Sequence, residues 1–139
     1  MILVDTSVVS EPLRPGGDPR VADWLDRQAS KTLYISTVSV GEVLFGVKSL
    51  PAGKRREAVA TAFEREIQRL FTGRIIPFDL AAARSYAALM SGARASGAAI
   101  SILDGQIAAI AQANGFDVAT RDEAPFRAAA LKTINPWTE

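Results

Sequence analysis

The sequence predicts an α/β fold in three layers, with a central, mostly parallel sheet of about five short strands and helices on both faces. Three observations carry the prediction. Short β-rich runs alternate with longer stretches of helical period, the pattern left by parallel strands joined through crossover helices. Apolar residues make up 48% of the 139-residue chain and charged residues 22%, the balance of a soluble globular protein that buries one core. No linker, internal repeat or low-complexity tract interrupts it, so residues 1–139 are expected to form a single domain.

The elements follow in order. The expected strands are Ile2–Val4, Leu33–Ser36, Arg74–Ile76, Asp117–Thr120 and Lys132–Ile134. After the first, Val8 to Leu13 predicts a short helical turn. Asp18-Pro19 then supplies an N-cap and a first helical residue, Val21, Ala22, Trp24 and Leu25 an apolar face, and the region near Ser30 a polar stop. A second helix is expected from near Ser39 to Pro51. A third runs from about Lys54 to Phe71, with Val59, Phe63, Ile67, Leu70 and Phe71 at helical spacing, so that the two form a hairpin. Asp79 caps a helix that carries Tyr86, Leu89 and Met90 and closes at Gly97. The last, Asp104 to Asn114, closes at Gly115, and glycine at such a position takes the left-handed conformation that ends a helix.

Composition excludes several chemistries. The chain has no Cys, hence no disulfide framework, thiolate nucleophile or Cys-rich zinc site. It has no His, hence no Ser-His-Asp triad, imidazole base or histidine metal site. A formal net charge of +1 would not by itself hold a polyanion, so attraction to nucleic acid must come from the placement of the 16 Lys and Arg residues or from a metal. The N-terminus shows no secretory signal, and the longest apolar stretch, Ala98 to Ala113, is broken by Asp104 and Gln106. A cytoplasmic location is the expectation.

In open parallel sheets ligands bind beyond the carboxyl ends of the strands, which singles out the acids just after strands or in early helical turns: Asp5, Glu42, Asp79, Asp104 and Asp122. Four of these have plain alternatives. Glu42 with Ser39, and Asp104 with Ser101, match the S-x-x-E/D capping pattern, while Asp79 and Asp122 can be simple N-caps. Asp5 resists that reading because it follows directly on a strand expected at the sheet centre, where an unpaired carboxylate costs several kcal/mol. Two such charges about 4 Å apart repel by roughly 4 kcal/mol at an effective dielectric near 20. A cluster of them takes up protons or binds a hard cation. With neither His nor Cys available, an all-oxygen site suits Mg²⁺, with Mn²⁺ as substitute, and such sites serve phosphodiester chemistry.

Four segments in register, VDTSV (Val4 to Val8), ISTVSVGEVLFGV (Ile35 to Val47), LDGQIAAIAQANGFDVATRD (Leu103 to Asp122) and INPW (Ile134 to Trp137), resemble the PIN-domain ribonucleases. Within these they look most like the toxins of VapBC-type toxin–antitoxin modules. The resemblance covers nearly the whole chain. It implies a PIN-like three-layer fold and a metal-dependent endoribonuclease whose acidic residues fall on Asp5, Glu42, Asp104 and Asp122, with Asp5 and Asp104 as metal ligands and Thr6 or Ser7 beside the metal. Asn often replaces Asp at the position of Asp122 in that family, and Asp79 falls outside the acidic cluster, as a cap.

The resemblance further implies a homodimer and a VapB-like antitoxin whose tail occupies a groove and sets a basic side chain among the carboxylates. Trp24, Leu25, Leu44, Phe45 and Val47 are candidate groove residues, with core packing as the alternative. Lys54, Arg55, Arg56, Arg65 and Arg69 lie opposite the apolar positions of the third helix, interleaved with Glu57, Glu64 and Glu66, either as an RNA-binding face or as a solvated, salt-bridged one. Arg121 adjoins Asp122, where it either contacts a phosphate or pairs with a carboxylate. With water as the nucleophile, cleavage leaves 5′-phosphate and 3′-hydroxyl ends. Two rival readings are a phosphatase of the haloacid-dehalogenase kind, with Asp5 as covalent nucleophile but Ser7 where such enzymes carry a second Asp, and a non-catalytic binding module whose acids are only caps.

Overall fold

The computed structural model describes residues 1–29 and 31–139, so the polar stop near Ser30 lies outside the described residues. Five parallel strands form one sheet in the order β3-β2-β1-β4-β5: β1 (Ile2–Val4), β2 (Leu33–Ser36), β3 (Ile75–Ile76), β4 (Asp117–Ala119) and β5 (Thr133–Ile134). The first strand of the chain is therefore the middle of the sheet. Its residues pair on both sides, Val4 with Ile35 and with Ala119.

Helices cover both faces, as the alternating pattern predicts: α1 (Thr6–Ser10), continued by a 3-10 turn at Glu11–Leu13, then α2 (Pro19–Arg27), α3 (Thr37–Lys48), α4 (Lys54–Phe71), α5 (Leu80–Ala95), α6 (Ile102–Asn114) and α7 (Ala124–Ala128). Neighbouring strand residues point to opposite faces, and this divides the core in two. Val4, Leu33 and Ile35 belong to one layer with Val8, Trp24, Leu25, Phe63 and Phe71. Leu3 and Val118 belong to the other, with Ala82, Leu89, Ile107, Ala108, Ala111 and Phe126.

The second layer is built from smaller residues. A Cβ on Gly105 would lie 2.6 Å from Met90 Sδ and 3.1 Å from the Tyr86 ring, so a bare backbone there permits the close approach of α6 to α5. Gly115, at φ 69°, ends α6 in the left-handed conformation, and its N–H bonds to Gln112 O.

Several expectations change in detail: Thr120 and Lys132 lie just outside β4 and β5, and α6 begins at Ile102, ahead of the expected Asp104. Helix α3 starts at Thr37 because Ser36 is its N-cap, its hydroxyl accepting from Ser39 N at 3.0 Å; Ser39 is inside the helix. Arg74 precedes β3 instead of joining it, and its guanidinium donates to the Leu33 and Leu70 carbonyls at 3.0 and 2.8 Å. The five-residue helix α7 is an addition, placed directly after Asp122 and Glu123. Among the described residues no helix is long and apolar enough to cross a membrane.

Candidate active site

Beyond the carboxyl end of β1 the backbone turns at once into α1, and Asp5 is the residue that makes the turn. It is the N-cap of α1, with Oδ1 accepting from Thr6 N at 2.8 Å. Its own N–H donates to Ala119 O at 2.9 Å, clamping the end of β1 to the end of β4. The other carboxylate oxygen, Oδ2, accepts from the Ser7 hydroxyl at 3.2 Å and from the Thr120 hydroxyl at 2.8 Å. The residue is 8% exposed, and among the described residues no Lys or Arg forms an ion pair with its carboxylate.

Burial without a counter-ion has a direct electrostatic result. The Asp5 pKa rises above its ordinary value of 3.8. Desolvation is the largest cause, and the negative charge of Asp104 pushes the same way, against the lowering effect of the bonds from Thr120, Thr6 and Ser7.

Glu42 arrives from α3. Its Oε1 accepts from the Thr6 hydroxyl at 2.8 Å, which puts it one side chain away from the residue that caps α1. It is not the acid of a capping box, because the helix begins at Thr37 and Glu42 stands in its second turn. Asp104 occupies the first turn of α6 and there the capping pattern does hold: its N–H donates to Ser101 Oγ at 3.1 Å. Its carboxylate still acts on Asp5 across the end of the sheet. Asp79 is the cap of α5, accepting from Ala82 N at 2.9 Å.

Asp122 is exposed and caps nothing, since the N-cap position of α7 belongs to Glu123. Its backbone carbonyl lies 3.4 Å from the Thr120 hydroxyl, and its side chain shares a cavity of about 520 Å³ with Asp104, Ser101, Pro125 and several alanines. The acids thus ring the end of β1 and do not form one knot: among the described residues no three Asp or Glu side chains gather as metal ligands would. Mg²⁺ does not need such a knot, since it is held by one or two carboxylates and keeps several waters. A buried, oxygen-only carboxylate beside a second negative charge, with no cationic side chain to neutralise it, fits that ion.

Among the described residues Arg121 forms no ion pair with a carboxylate. Its guanidinium carbon lies 5.1 Å from the centre of the Trp137 ring, and its N–H donates to Ser7 Oγ at 3.3 Å. Thr120 is the site residue that sequence reasoning missed. The signal for it is register: Val4 pairs with Ala119, so the residues that step off the two strands, Asp5 and Thr120, arrive side by side.

The expected groove needs correction. A mainly apolar cavity of about 290 Å³ does lie between α1, α3 and α4, lined by Leu13, Val43, Val47, Leu50 and Val59, with Arg14, Arg55, Thr6 and Glu42 also on its wall. Of the five residues expected there only Val47 lines it. Trp24 and Leu25 are core residues, and Leu44 and Phe45 are exposed, Phe45 lining a different cavity with Leu103. On α4, Arg69 is bound to Glu66 and Asp26, the salt-bridged alternative at that position.

A parallel sheet of this order, with a buried Asp at the tip of its central strand and further acids supplied by the helices around it, defines a class. The chain belongs to the PIN domain family, whose pattern matches residues 2–132. It is 50% identical to "VapC ribonuclease Y4jK" of Sinorhizobium fredii over 137 residues, 99% of this chain and 98% of that one. "Toxin FitB" of Neisseria gonorrhoeae is 44% identical over 137 residues, 99% of each chain. A solved structure of FitAcB from Neisseria gonorrhoeae superposes with a TM-score of 0.94 at 43% identity, covering 100% of both chains.

Proposed function

We propose that this chain is a metal-dependent endoribonuclease, the toxin of a cytoplasmic toxin–antitoxin pair, that hydrolyses RNA phosphodiesters with water. The reading is supported by relatives named as a ribonuclease and a toxin at 50% and 44% identity over almost the whole chain. The observation that carries the chemistry is Asp5: buried, without a cation, and further destabilised as an anion by Asp104. Asp5 and Asp104 would hold Mg²⁺, or Mn²⁺ in its place, and when bound the ion would acidify a water and offset charge developing on the phosphate.

The chain's own groups have distinct tasks. Thr120, Ser7 and the Thr6 N–H fix the Asp5 carboxylate in one orientation, so little reorganisation remains when the substrate arrives. Thr6 holds Glu42 in the second turn of α3, and Glu42 and Asp122 complete the acidic surround. Neither of these two acids fills a cap, which speaks against the module reading in which every acid is structural. The phosphatase reading lacks its acid–base, because Ser7 is spent on a bond to Asp5.

A homodimer is consistent with the exposure of Phe45 and Leu103, 76% and 44%, which line one cavity near α3 and α6. The groove between α1, α3 and α4, apolar with Arg14, Arg55 and Glu42 on its wall, suits the tail of a VapB-like antitoxin. The test is cleavage of RNA by the purified chain. Activity should require Mg²⁺ or Mn²⁺, leave 5′-phosphate and 3′-hydroxyl ends, and vanish in Asp5→Asn. Cyclic 2′,3′-phosphate products, or full activity with a chelator present, would refute the mechanism.

A further inference from the structure

We propose that Arg121 grips an RNA backbone phosphate beside the Asp5 carboxylate and that Trp137 is the positioning residue that holds the guanidinium there, an inference that rests on the ribonuclease reading. Arg121 leaves the fold two hydrogen bonds from Asp5: its N–H donates to Ser7 Oγ at 3.3 Å, and Ser7 donates to Asp5 Oδ2 at 3.2 Å. Its side chain then lies over Trp137, 5.1 Å from the ring centre. Trp137 is only 6% exposed and belongs to the core layer of Val4 and Ala119, so the platform is as rigid as the sheet. Its own N–H is fixed on Asn135 Oδ1 at 3.0 Å.

A guanidinium resting on an aromatic ring keeps its N–H fork free for a planar or tetrahedral anion. The fork of Arg121 has no hydrogen-bond partner among the described residues. Among the described residues Arg14, Arg20, Arg69 and Arg127 are bound to carboxylates and Arg74 to carbonyls. Asp18, whose pKa the charge of Arg121 helps to lower, is already occupied by two-pronged bonds from Arg20 at 3.1 and 2.7 Å. Of the arginines without a carboxylate partner, Arg121 alone among the described residues sits over a ring. A phosphate approaching Asp5, Asp104, Glu42 and Asp122 meets repulsion from each. Arg121, anchored to the same strand end, is a group that can offset it through a bidentate contact.

The experiment uses a short single-stranded RNA of mixed sequence and the full chain, with binding read in the cleavage-silent Asp5→Asn background across a range of salt. Adding Arg121→Ala should weaken binding about tenfold and reduce the slope of log affinity against log salt by about 0.7, the value of one lost phosphate contact on a single strand. With Asp5 intact, Trp137→Leu should raise KM several-fold with kcat nearly unchanged, Trp137→Phe should recover most of the loss, and Trp137→Leu should add nothing once Arg121 is Ala. An unchanged salt slope in Arg121→Ala overturns the proposal, as does a Trp137→Leu effect of equal size with and without Arg121. Because Arg121 is exposed, its substitution leaves the fold intact and the slope readable even where Trp137→Leu fails to fold. Parent protein that neither binds nor cleaves the RNA would remove the ribonuclease reading and this inference together; cleavage with an unchanged slope removes this inference alone.

Discussion

Asp5 and Asp122 are both acids at strand ends, yet the fold treats them oppositely. Asp5 is buried, its two oxygens take three hydrogen bonds, and its backbone joins β1 to β4. Asp122 is exposed and, among the described residues, is tied in through its carbonyl alone. The fold holds Asp5 in a fixed, desolvated place where its ionised form is disfavoured, and leaves Asp122 in solvent. Under the proposed function that cost is offset by the ion Asp5 would hold, whereas a solvated acid such as Asp122 can be exchanged with little effect on stability.

The sharpest way to break this contrast is Asp5→Asn. RNA cleavage should fall by on the order of a thousandfold or more, about 4 kcal/mol of transition-state stabilisation. Stability should move the other way. Because the folded-state pKa of Asp5 is raised, its favourable contribution is complete below the unfolded value of 3.8 and is lost as pH rises through the folded value. In urea titrations without divalent metal, Asp5→Asn should therefore be the more stable protein at neutral pH, with the gap closing in acid. Added Mg²⁺ should stabilise the parent and leave the variant unmoved, and a parent already more stable than the variant without metal would contradict the account.

Thr120→Val comes next. It keeps the shape but removes the bond to Asp5 Oδ2, which should cost about 1.5–3 kcal/mol in urea unfolding. Since that bond lowers the Asp5 pKa, its loss should also shift the pH window of the preceding experiment upward. Gly105→Ala tests the helix that delivers Asp104. Crowding against Met90 and Tyr86, about 1–3 kcal/mol, is partly offset by about 1 kcal/mol of helix propensity, so a net loss near 1 kcal/mol is expected on thermal unfolding. The smallest effect belongs to Asp122→Asn: stability within about 0.5 kcal/mol of the parent, and cleavage within about fivefold, since a solvated acid contributes little to a field it can leave.

Much of this contrast is legible in the sequence. Asp5 stands out because a charge directly after three apolar residues has few innocent explanations, Asp104 because it opens a helix behind a hydroxyl cap, and Glu42 because it lies early in the helix that follows β2. Where the reading falters, several residues could do the same job. Ser36, Thr37 and Ser39 can all cap α3, and only the end of β2 decides for Ser36. Helix α3 is apolar nearly all round, with Val38, Val40, Val43, Leu44, Phe45 and Val47, so periodicity marks no single face, and the groove is lined by Val43 where Leu44 and Phe45 were expected. Helix α7 is too short to show a period. Thr120 depends on strand register, which no local pattern records.

The bond from Thr120 to Asp5 joins residues 115 positions apart. The central strand is made well before its second neighbour, β4, because most of the helices lie between them in the chain. Contacts of such separation form late, after most of the chain is available to close the loop. A nascent chain can therefore carry Asp5, Thr6, Ser7 and Glu42 until β4 emerges without possessing the clamp that orients them. The fixed geometry of these side chains is thus later in time than the side chains themselves, and it arises only when β4 has joined β1.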